Sequence, residues 1–128
     1  MAGKLSPSAQ LRLATLHDLE RRVQSIHGLV EQYAATKQKP ENYEMAIKRG
    51  FTQLKMHFMG AGMDAMSQLA GSMEMATKRG MSQLNKTRIL REGVGTMRFQ
   101  IELEARTVVS DDQAKKRDEA EKAAGQGS

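Results

Sequence analysis

The sequence predicts an all-α chain, an antiparallel helical hairpin with one long arm, on three observations. Apolar residues recur at alternating spacings of three and four from Leu16 to Tyr33, prolines stand where helices begin or break, and a repeat of helical period fills the middle of the chain. The composition agrees: no Trp, two Tyr and three Phe among 128 residues suit helix-to-helix seams better than a thick core. An extended, coiled-coil-like shape is expected.

The first helix is expected from Ser6-Pro7, a capping hydroxyl followed by a proline whose missing N–H costs nothing at the first helical position. Residues 1–6 then form a flexible N-terminus and 7–109 the helical domain. Leu16, Leu19, Val23, Ile26, Val30 and Tyr33 give the seam, and Arg12, Glu20, Arg21, Gln24 and Glu31 the polar side. The helix should end at Lys37–Lys39, because Pro40 disfavours helical geometry in the residue before it. Pro40-Glu41-Asn42 can open the next helix, with a carboxylate in its first turn.

That second helix carries the repeat. Residues 44–55 recur as 74–85 with eight of twelve identities, and a degenerate copy runs from Ala61 to Leu69, so the period is fifteen residues. Fifteen residues over four turns favour straight or right-handed winding over an ordinary heptad. A stripe of small residues, Ala46/Gly50, Ala61/Ala65 and Ala76/Gly80, runs beside Phe51, Leu54, Met66, Leu69, Met81 and Leu84. These twelve residues are the candidate protein interface. A single helix from 42 to 91 would span about 75 Å, more than the first helix covers, and its bare apolar face would mark an association surface. A kink at Gly60–Gly62 would shorten the hairpin. On the continuous reading, replacing Gly50 and Gly80 by Leu disrupts assembly and leaves helix content intact.

Gly93 and Gly95 predict a helix end near Arg91. Residues 97–105 alternate apolar and polar, which admits a short C-terminal β-strand over 96–105. The helical reading is preferred, because Met97, Ile101, Ala105 and Val108 also stand at helical spacing. From Ser110 to Ser128 the chain is charged and poor in apolar residues, a frayed helix or disordered tail in which Ser110, Asp111 and Asp112 form a cap.

Little here points to catalysis, and the reading is of a non-enzyme without cofactor or metal. His17, His27 and His57 stand at no metal-ligand spacing. Gly60-Ala61-Gly62-Met63-Asp64-Ala65 matches the loose dinucleotide-binding pattern, but no βαβ unit surrounds it, so it reads as a glycine-rich helix contact. Ten methionines, concentrated between Met45 and Met97, read as seam filling, with a client-binding groove the alternative. Asp64 among other polar residues argues against a membrane span over 56–73.

The net charge is +5, and its excess is local: residues 78–98 carry six basic groups and one acidic. Lys78, Arg79, Lys86, Arg88, Arg91 and Arg98 are therefore the candidate anion-binding set, for nucleic acid or membrane headgroups. No aromatic residues interleave them, so protein contact is preferred, either as a homo-oligomer or within a larger helical assembly. The absence of Cys suits an intracellular, cytoplasmic protein.

Overall fold

A computed structural model describes residues 4–76 and 80–126, and every element among them is helical. There are four: α1 (Pro7–Ala35), α2 (Pro40–Gly60), α3 (Asp64–Ala76) and α4 (Gln83–Gln126). Successive helices run antiparallel, and α4 returns to lie along α1, giving an up-down-up-down bundle.

The start of α1 follows the sequence rule. Ser6 caps it, its hydroxyl accepting from the Ala9 N–H at 3.3 Å, and Pro7 takes the first turn. The 3-4 seam from Leu16 to Tyr33 is buried throughout. It faces Ile47, Phe51, Leu54 and Phe58 of α2 and Leu90, Val94, Met97 and Ile101 of α4, with Ala70 and Met73 of α3 closing the core. The helix ends at Ala35, slightly earlier than expected, and Lys39 in the left-handed region (φ 49°) turns the chain into Pro40.

The single long second helix is corrected: it breaks after Gly60, and α3 folds back on α2. Gly62, with φ 75°, makes the break. Its N–H donates to the Met59 carbonyl at 3.0 Å, and the Met63 N–H donates to the Phe58 carbonyl at 2.9 Å, the paired bonds that satisfy the last carbonyls of a helix. The glycine-rich motif is thus a helix stop. The third repeat copy does not reproduce the first. Where copy one, wholly inside α2, has the fully buried Ile47 and Phe51, copy three has Thr77 and Met81. Weaker apolar anchors leave less burial to hold a helix, and residues 80–82 are non-helical.

The expected helix end at Arg91 is also corrected, because α4 runs through both glycines. Gly93 has a packing reason to be there: a Cβ at this position would fall 2.3 Å from Met73 Sδ and 2.9 Å from Met73 Cγ. The missing side chain lets α3 seat its methionine on α4, which offsets the helical cost of glycine, about 1 kcal/mol. The strand alternative over 96–105 falls with it, since this segment is helix. Its alternation arises because Met97 and Ile101 face the core while Phe99 and Leu103 face outward. The helix continues to Gln126, and Asp112 lies inside it, not at a cap of its own. At 1.5 Å per residue the 44 residues of α4 span about 66 Å.

Candidate protein-contact surface

Two polar clamps fix which faces of the bundle remain outside. At one end Arg12 of α1 donates through Nη1 to the Ala61 carbonyl at 2.6 Å and through Nη2 to Glu104 at 3.2 Å. One guanidinium therefore joins α1, the α2–α3 turn and α4. Beside it the Asp112 carboxylate meets the start of α1. At the other end the Tyr33 hydroxyl donates to Glu44 Oε1 at 2.7 Å, and Lys86 Nζ donates to the same oxygen at 3.1 Å. Gln83 Nε2 reaches the carbonyls of Tyr33 and Thr36 at 2.6 and 3.0 Å. Burial raises the Tyr33 phenol above its ordinary value, and the Glu44 carboxylate adds to the rise.

The fold distributes the twelve candidate interface residues instead of aligning them. Phe51, Leu54 and Ala76 are buried in the chain's own core, and Met66 and Leu69 pack against it half-buried. Ala61 sits in the turn, Ala65 is exposed on the first turn of α3, and Gly80 and Met81 precede α4. Leu84 is 72% exposed. Ala46 and Gly50 stand on the side of α2 toward α1, and Gly50 packs closely within the chain: a Cβ on it would lie 2.9 Å from Ile26 Cγ1. They line, with Arg22, Leu29 and Gln53, a groove of 330 Å³ between α1 and α2. Gly50→Leu would therefore wedge α1 from α2, where the sequence placed only an intermolecular face.

The basic set is dispersed as well. Lys86 is buried against Glu44, and Arg91 grips Glu31 with two bonds of 2.8 and 2.7 Å. The Arg91 hydrogen bonds hold the Glu31 carboxyl below its ordinary value. Arg88 is exposed and Arg98 half-buried, while Lys78 and Arg79 lie outside the described residues.

What remains outside is apolar in several places. Met56 and Met59 project from α2, Met75 from α3, Leu11 from α1, and Phe99 and Leu103 from α4. Met59 and Met75 flank a shallow depression of 410 Å³ with Lys55 and Gly71. Among the described residues no group of three or more His, Cys, Asp or Glu could hold a metal ion, and no helix is long and apolar enough to cross a membrane.

Sequence reasoning missed Arg12, Gly93 and Asp112 as structural determinants. The signal for Asp112 was present, but Ser110-Asp111-Asp112 resembles a local cap, and nothing local reveals a carboxylate used by a distant helix. Searches against family models, curated proteins and solved structures find no significant match to this chain.

Proposed function

We propose that the chain is a non-enzymatic helical structural or adaptor protein that acts through protein–protein contacts, either self-assembling or as a subunit of a larger helical complex. The observation that carries this reading is the set of large apolar side chains outside a bundle whose core is already filled, including Met56, Leu84 and Phe99 at 70, 72 and 60% exposure. Apolar area left in water costs about 25 cal/mol per Å², which association recovers. The faces carrying these residues are helical, so a partner helix packing in coiled-coil fashion is the natural complement. A reducing, cytoplasmic setting fits a chain without cysteine.

The competing reading, a basic module for nucleic acid or lipid headgroups, is weaker. Lys86 and Arg91 already answer Glu44 and Glu31, which leaves Arg88 and Arg98 on the described part of the segment.

The test is the size of the chain, purified and in a gentle extract of the cells that express it. A mass above one chain that survives about 0.5 M salt, where exposed charges are screened, is expected. Migration as a single chain in both preparations overturns the proposal. Association lost in that salt and on nuclease or vesicle removal would favour the basic module instead.

A further inference from the structure

Resting on the protein-contact reading, we infer that the outer face of α4 is a self-association surface, and that its occupant is a second copy of this chain lying antiparallel, with Phe99 against its own copy on the two-fold axis. Glu92, Thr96, Phe99, Leu103 and Arg106 recur at spacings of four, three, four and three, and all five are exposed. This is the 3-4 register that keeps one seam of a helix against a partner helix, here on the side away from the core. Two large apolar residues occupy its centre, Phe99 and Leu103, at 60 and 45% exposure.

Charge selects the partner and its direction. Glu92 and Arg106 form no ion pair with other described residues. In an antiparallel pair centred on Phe99, residue numbers facing one another sum to 198, so Glu92 meets Arg106 of the second copy and Arg106 meets its Glu92. Both pairs are attractive, and the two-fold makes the surface complementary to itself. In a parallel pair in register each charge would face its own kind. The same antiparallel register sets Leu103 opposite Gly95, where an added Cβ would meet nothing within 4 Å, so the glycine leaves an open notch for the leucine. The alternation that resembled a strand over 97–105 is accounted for: one set of apolar residues builds the bundle and the other joins two bundles.

The test is the solution mass of the full chain by light scattering across a concentration series, with far-UV circular dichroism on each variant. Wild type is expected to reach two chains. Phe99→Glu sets two carboxylates on the axis and is expected to give one chain with helix content unchanged, while Gln24→Glu, on the exposed polar side of α1, stays at two. Glu92→Arg and Arg106→Glu each convert both facing pairs to like charges and weaken the dimer at least tenfold. Mixing these two single variants restores it, because each then faces its opposite. A mass other than two chains, a dimer indifferent to Phe99→Glu, or single variants that do not rescue each other overturns the inference. The protein-contact reading survives those results if the chain migrates above one chain in either preparation, and falls separately only if it is a single chain in both.

Discussion

Asp112 completes the cap of a helix whose N-cap residue, Ser6, stands 106 residues before it. Its carboxylate accepts from the Ser6 N–H at 3.1 Å and from the Ser6 hydroxyl, and that hydroxyl accepts in turn from the Ala9 N–H. The exposed donors at the start of α1 are thus completed by an anion from the middle of α4, which suits the positive end of the helix dipole. The contact fixes the lengthwise register of the two longest helices.

Acid should therefore loosen this end. The Ser6 hydrogen bonds, helped by Lys116, hold the Asp112 carboxyl below its ordinary value. A lowered folded-state pKa gives stability that is present above the ordinary carboxylate range and is lost as pH falls through the folded value. Thermal midpoints measured from neutral pH downward should fall from about pH 4, and the fall should be shallower in Asp112→Asn. Ser6→Ala, which removes the cap itself, should cost about 1 kcal/mol at neutral pH.

The Tyr33 clamp carries the opposite sign. Burial and the neighbouring Glu44 raise the phenol above its ordinary value of 10.0, so its contribution is full below that value and is lost as pH rises toward the folded one. Stability should decline above about pH 10, and Tyr33→Phe should blunt the decline while costing about 1 kcal/mol at neutral pH through the lost hydrogen bond. Denaturant titrations of both proteins at pH 7 and in alkali measure this.

Gly93 and Met73 should behave as a coupled pair. Gly93→Val places a branched side chain where the Met73 thioether lies and should destabilise by about 2 to 3 kcal/mol. Met73→Ala alone opens a gap in the core, yet in the double variant it should recover part of the Gly93→Val loss. A double-mutant cycle by chemical denaturation gives the coupling, and strict additivity would deny that the two share one space.

At the α2–α3 turn, Gly62→Ala forces a Cβ into the left-handed region and should cost about 1 to 2 kcal/mol, although nothing crowds the position. The same substitution at Gly95 meets open space in the helix and should instead stabilise the isolated bundle by up to about 1 kcal/mol. Comparing the two by thermal denaturation separates backbone conformation from packing.

The local grammar of the fold was legible and its long-range exceptions were not. Ser6-Pro7, the seam from Leu16 to Tyr33, and Pro40 in the first turn of α2 act as their residue types dictate, since capping and periodicity depend on neighbours in sequence, whereas the left-handed Lys39 before Pro40 is a conformation that its residue type does not announce. The repeat misled because its identities lie mostly outside the buried anchors: where copy one buries Ile47 and Phe51, copy three has the polar Thr77 and the flexible Met81 in place of the aromatic ring. Gly93 misled because the cost of glycine is local while the Met73 side chain that fills the space it leaves comes from α3. At Gly50 an added Cβ would lie 2.9 Å from Ile26 Cγ1, and sequence does not reveal whether the helix that approaches a small residue belongs to the same chain.

The pairing of two chains through α4 is tested most directly by an inter-chain distance. The chain has no cysteine, so Gln113→Cys gives a single exposed attachment point for a spin label. An antiparallel pair centred on Phe99 places the two labels about 42 Å apart along the helix, fourteen residues on either side of the axis at 1.5 Å each. Measuring that distance by pulsed dipolar spectroscopy is expected to give a single population near it. Labels that are close together would contradict the antiparallel arrangement, and the absence of any dipolar coupling would contradict the pair itself.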